Sequence, residues 1–146
     1  GDIAEVRAMA GRELTEPSTA FSAMHAALAD AAAGDDASLS RLEARCRHSA
    51  MPAMADLGAP LAAALAGFVR GDDASVADAL LDLFAASRAT GASRAQCEVI
   101  EDTAIAALVR AGRVDEAIAV LTARLERRPH AGDQAWRGQL CQIPSR

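Results

Sequence analysis

Apolar residues recur along this chain at steps of three and four, the spacing that gathers them on one face of an α-helix. Phe21, Met24 and Leu28 predict a helix over roughly 17–33, and Leu39, Leu42 and Cys46 a second over roughly 36–48. Leu61, Leu65 and Phe68 mark a third helix that begins past Pro60. A proline is tolerated in a first turn because its missing amide hydrogen would be unpaired there. Val76, Leu80, Leu83 and Phe84 mark a fourth, and Cys97, Ile100, Ala104, Leu108 and Ala111 a long stripe on a fifth. Ala117, Ile118, Leu121 and Leu125 carry a sixth, and Trp136 with Leu140 a short seventh before Pro144. Residues 1–15 are expected to be a linker or an extra helix. Loops are expected at Glu16-Pro17 and Met51-Pro52, since residues before proline avoid the helical region. Alternating runs of strand formers are rare, so the expected fold is all-α.

The segments are punctuated regularly. Ala33-Gly34-Asp35-Asp36, Arg70-Gly71-Asp72-Asp73 and Ala111-Gly112-Arg113-Val114 each close one apolar segment and open the next. Glycine can take the left-handed conformation that ends a helix. In the first two strings, acidic residues suit the start of the following helix. The glycines lie 71 − 34 = 37 and 112 − 71 = 41 residues apart. Periods of that size belong to arrays of helix pairs. Gly112, Ala117, Leu121 and Pro129 keep the offsets of a tetratricopeptide repeat: tight turn, close-packing alanine, large apolar contact and terminating proline. At the alanine position of the other two units stand Leu39 and Val76. A degenerate tetratricopeptide-like solenoid of antiparallel helix pairs, right-handed and in a single domain over 1–146, is the fold these spacings predict.

Composition sharpens this picture. Hydrophobic residues make up 51% of the chain but aromatics only 3%, so the core must be built chiefly from alanine and aliphatic side chains. Alanine is the best helix former and lets helices approach closely. The net charge of −5 argues against a duplex-binding surface, and nucleic acid is not an expected partner. The basic residues are all arginine, as in the codon usage of a GC-rich, bacterial genome. No apolar stretch approaches membrane-spanning length, and no membrane partner is expected. Three cysteines without paired spacing, Cys46, Cys97 and Cys141, suit a reducing compartment, so a cytoplasmic protein is expected.

Three strings extend the reading beyond periodicity. Phe21 to Ala29, Asp56 to Leu61 and Gly91 to Ile100 stand in order along the chain. They resemble the Phe-Asn-Asp-x-His-x-x-Met-Ala, Asp-x-Gly-x-Pro-Leu and Gly-Gly-Ser-x-Ala-Gln-Arg-Asp-Val-Phe stretches of the tetratricopeptide repeat protein 38 family. The resemblance is to the C-terminal part of that family and runs from about Phe21 to Trp136. The chain departs from it at Ser22, Ala23, Ala92, Cys97, Glu98 and Ile100. The resemblance implies a helical solenoid whose N-terminal repeats lie outside this sequence, making the chain a C-terminal fragment. It implies no catalytic activity.

Candidate chemistry is sparse. His25 lies one residue from the first apolar stripe and could act as a ligand in a groove, or simply bond a neighbouring helix or loop. Ser93, Arg94 and Gln96 could line an anion-binding helix N-terminus. Ser93 and Gln96 also fit a capping box, which accounts for the pair without a ligand. His48 sits two residues from Cys46, a spacing that turns the side chains apart on a helix, and His130 follows Pro129 in an expected solvated loop. No metal site, cofactor or nucleophile triad is expected from this set. Cys97 falls on a buried stripe, and Cys141 is the expected exposed thiol. Arg124, Arg127 and Arg128 complement the negative end of the sixth helix.

The expected function is a non-enzymatic scaffold that binds a protein or peptide partner. An enzyme or small-ligand binder using His25, with a site shared with a missing N-terminal half, is the alternative; an end cap of a longer array is a third. An array end left uncovered would expose apolar surface and favour homodimer contacts.

Overall fold

A computed structural model describes Gly11 and residues 16–144. The described residues form seven α-helices and no strand. The helices are α1 (Ala20–Ala33), α2 (Asp36–Arg47), α3 (Ala59–Arg70), α4 (Asp73–Ala89), α5 (Arg94–Arg110), α6 (Val114–Arg127) and α7 (Ala131–Leu140). They stack as antiparallel pairs in a tetratricopeptide-like pattern, α1 with α2, α3 with α4 and α5 with α6, and α7 packs on α6. The linker or extra helix expected over 1–15 lies outside the described residues, apart from Gly11. Among the described residues no helix is long and apolar enough to cross a membrane.

The three punctuating glycines turn the three pairs. Gly34, Gly71 and Gly112 have φ of 69°, 85° and 76°, a region closed to most side chains. Each turn is fastened in the same way. The amide after the glycine donates back across the helix end: Asp35 to Asp30 O at 2.9 Å, Asp72 to Gly67 O at 2.9 Å, and Arg113 to Leu108 O at 2.8 Å. These bonds satisfy carbonyls that a helix end leaves unpaired. Gly91, between α4 and α5, repeats the device, with Ala92 donating to Ser87 O at 3.0 Å.

Charges tie successive pairs together at these turns. Arg70, at the end of α3, donates to Asp36 at the start of α2 at 2.7 Å. One unit later Arg110, near the end of α5, donates to Asp73 at the start of α4 at 3.2 Å. Arg110 also lies over the Phe68 ring, 3.9 Å from its centroid, and donates to Phe68 O. The third turn has Val114 where the first two have Asp36 and Asp73.

The core is one cluster running through all seven helices, with alanine interleaved among larger side chains. Leu39, Leu61, Leu80, Ile100, Ile105, Leu108 and Leu121 are its largest fully buried members. In the second pair the alanine position holds Val76, and a glycine answers it. A Cβ on Gly67 would lie 2.6 Å from Val76 Cγ2. The equivalent positions of the third pair are Leu108 and Ala117, so the large and small partners exchange helices. Gly67→Ala is therefore expected to destabilise the fold, although alanine improves helix propensity by about 1 kcal/mol. Val76 is stiff in a helix and cannot swing aside. Overpacking should win by about 1–2 kcal/mol. Urea unfolding measures the loss, and Val76→Ala in the same chain should restore it.

Three expectations are corrected. The first helix begins at Ala20 rather than 17, because Thr19 and Ser22 form a capping box. Phe21, placed on the apolar stripe by its spacing, is 55% exposed; Ala20, Ala23, Met24 and Ala27 hold the buried face instead. The third helix does not begin past Pro60. Helical structure starts at Pro52 and passes through a π-helical turn, Met54–Gly58, before α3. In that turn Ala59 N–H reaches Met54 O, five residues back. The hydrogen-bond ladder thus changes register just before Pro60, which has no hydrogen to give.

Candidate functional site

Charge is concentrated inside the fold where the middle of α5, the end of α6 and the start of α7 meet. Arg124 is buried on α6 and grips Asp133 of α7 with two parallel hydrogen bonds, from Nε at 3.0 Å and Nη2 at 3.1 Å. Its remaining nitrogen, Nη1, donates to Asp102 of α5 and lies 3.8 Å from Glu101. Glu101 is 2% exposed and accepts from Arg127 at 2.6 Å. Burial works against the Arg124 charge, but the hydrogen bond it donates to Asp102 and the charges of Asp102, Asp133 and Glu101 outweigh it. The guanidinium is held above its ordinary range. A buried charge of this kind persists only when its donors are matched. The dipole role expected for the three arginines is thus only part of the account, because Arg124 is a structural member of the core.

Beside this network a cleft of roughly 310 Å³ opens between the end of α4, the first half of α5 and the end of α6, with Arg124 at its wall. Phe84, Ala92 and Cys97 form its apolar lining. Arg88, Arg94, Arg127 and Arg128 stand around it with Glu98 and Glu101. Glu98 is shared by Arg94 at 3.3 Å and Arg128 at 3.0 Å. Arg88 and Arg127 lie over the Phe84 ring, 5.8 and 5.5 Å from its centroid. A second, more apolar cleft of roughly 410 Å³ lies on the other side of the α4–α5 loop. Leu57, Leu83, Ala86 and Gln96 line it, and Ala92 borders both clefts.

The sequence-predicted candidates fall in separate places. Arg94 stands at the first cleft and Gln96 at the second. Ser93 and Gln96 form the capping box of α5: Ser93 Oγ accepts from Gln96 N–H at 3.3 Å, and Gln96 Oε1 from Ser93 N–H at 3.0 Å. His25 is exposed on α1 and meets the Phe21 ring edge-on, with centroids 4.4 Å apart. His48 is the C-cap of α2, its Nδ1 2.7 Å from Ala44 O, while Cys46 points into the core. His130 is exposed, as its loop position implied, but it also caps α7: its Nδ1 accepts from Asp133 N–H at 3.4 Å. Among the described residues no group of three or more His, Cys, Asp or Glu is placed to hold a metal ion.

Glu101 and Asp133 were missed by sequence reasoning. The signal for Glu101 was present, since it stands four residues after Cys97 and four before Ile105, both buried. A carboxylate on that stripe needs a partner from another helix.

The three thiols differ in environment. Burial pushes the Cys46 thiol up; burial also raises Cys97, with Arg88 opposing it and Glu101 and Glu98 adding to it. Cys141 is exposed. Since the thiolate is the reactive form, Ellman's reagent at pH 8 is expected to modify Cys141 first and Cys46 only on unfolding. Rapid modification of Cys46 in the native protein would contradict its placement in the core.

The chain matches no family model, no curated protein and no solved structure.

Proposed function

We propose that this protein is a non-enzymatic helical-repeat module that binds a segment of a partner protein. What supports the reading is the pair of clefts that meet at Ala92, formed where stacked helices leave their ends apart. Stacked pairs present such recesses as a by-product of their geometry, on elements rigid enough to hold a peptide. The resemblance of the three strings to the tetratricopeptide repeat protein 38 family is in keeping with this reading, and the proposal places the protein in a bacterial cytoplasm.

Selection of linear peptides from a random library on the immobilised protein tests the proposal. Enriched peptides should bind in solution with micromolar affinity, and hydrogen exchange should place their footprint on the helices around the two clefts. Failure to enrich any sequence over bare matrix, in repeated selections, would remove the binding reading.

A further inference from the structure

The cleft between α4, α5 and α6 carries more positive charge than the fold requires. Five guanidinium groups line the cleft, Arg88, Arg94, Arg124, Arg127 and Arg128, and four carboxylates answer them, Glu98, Glu101, Asp102 and Asp133. The excess is 5 − 4 = 1 positive charge, on a chain whose net charge is −5. Arg88 has no carboxylate within ion-pair distance among the described residues and rests on the Phe84 ring.

Local structure explains some of these arginines but not all. Arg127 and Arg88 lie in the last turns of α6 and α4, where cations complement the helix dipole. Arg94 is the first residue of α5, where the dipole opposes a cation. Its pairing with Glu98 has arginine on the N-terminal side, the weaker order for an i,i+4 pair, and Glu98 is already engaged by Arg128. With 70% of its side chain exposed, Arg94 contributes no packing to offset this.

We infer that this cleft binds an acidic peptide segment, its carboxylates taken by Arg88 and Arg94 and its following apolar residue seated in the adjoining cleft. The inference rests on the binding reading above and names the ligand class. Guanidinium forks accept carboxylate and phosphate alike. A peptide is favoured over a free ion because the cationic cleft borders an apolar one across Ala92, within reach of consecutive residues of one extended chain.

The test uses a fluorescein-labelled peptide of three glutamates followed by two leucines, and the same peptide with glutamines in place of glutamates. Fluorescence anisotropy with the whole chain should show saturable binding of the acidic peptide, about tenfold tighter than the neutral one and weakened by salt. Arg88→Gln/Arg94→Gln, both at exposed positions, should weaken it about tenfold again, whereas Arg41→Gln, an exposed arginine of α2, should not. Circular dichroism establishes that the variants are folded. Equal binding of the two peptides, or equal losses from Arg41→Gln and the cleft variant, would overturn the inference. Calorimetric binding of inorganic phosphate without binding of the acidic peptide would overturn it in favour of a small-ion site. If library-selected peptides bind but their footprint avoids the cleft, the acidic ligand falls and the binding module stands. If no peptide binds by either method, both fall.

Discussion

Replacing Arg124 with alanine is expected to destabilise the protein by about 3–5 kcal/mol, a large share of the 5–15 typical of a whole domain. The loss comes less from the missing bonds than from what remains. Asp133 and Glu101, 4% and 2% exposed, would stay buried without the guanidinium between them. Arg127 can still serve Glu101, but Asp133 would keep only the more distant Arg128, 3.9 Å away, and His130. Because Asp133 lies in the first turn of α7, that helix should loosen first. Urea unfolding followed by circular dichroism measures the change, and hydrogen exchange locates it. Arg124→Met with Asp133→Leu removes both charges together, and the double variant should lose far less than Arg124→Ala alone. Equal losses would mean that packing, not an orphaned charge, sets the cost.

Leu121→Ala should be nearly as damaging, at about 2–5 kcal/mol. Leu121 is fully buried on α6, in a core where many of the other side chains are alanines. Short side chains cannot lean into a cavity, so the vacated space should remain and the cost should fall in the upper part of that range. Leu125, half-buried on the same helix, offers the contrast: its truncation should cost clearly less. The midpoint of urea unfolding should drop with an unchanged slope if only stability is affected. A loss under about 1 kcal/mol at Leu121 would show that the third pair is not a packed part of the cooperative core.

The helices and their turns were legible because their signals are local. Apolar spacing and a glycine at each turn act within a few residues, and Gly34, Gly71 and Gly112 fall where the pattern placed them. The capping box of Ser93 and Gln96 was legible for the same reason. What escaped the sequence depends on contacts between helices. The π-helical turn before α3 brings Gly58 against Cys46, where an added Cβ would lie 3.0 Å from the sulfur. Nothing in Met54–Gly58 alone announces that fit. The grip of Arg124 joins groups from α5, α6 and α7, and a row of arginines at a helix end reads as dipole complement until the partners are seen. The departure of Val76 from the repeat pattern looked like degeneracy and is instead matched by Gly67 on the facing helix. Of the residues around the two clefts only Arg94 and Gln96 were named from the sequence as binding candidates, and the pairing of a cationic with an apolar cleft arises from tertiary packing.

The alanines that let these helices meet also shape which mutations the protein can survive. Alanine codons change by one base only to valine, glycine, aspartate or glutamate, threonine, serine and proline. At Ala62, Ala77, Ala104, Ala107 and Ala117, all without exposed surface, most of these enlarge, charge or break a contact that has no slack. Leucine and isoleucine positions have gentler neighbours in the code, such as valine and methionine. Random mutation should therefore be tolerated least at the smallest side chains of this core, and a deep mutational scan would show its alanine positions as the most constrained of all.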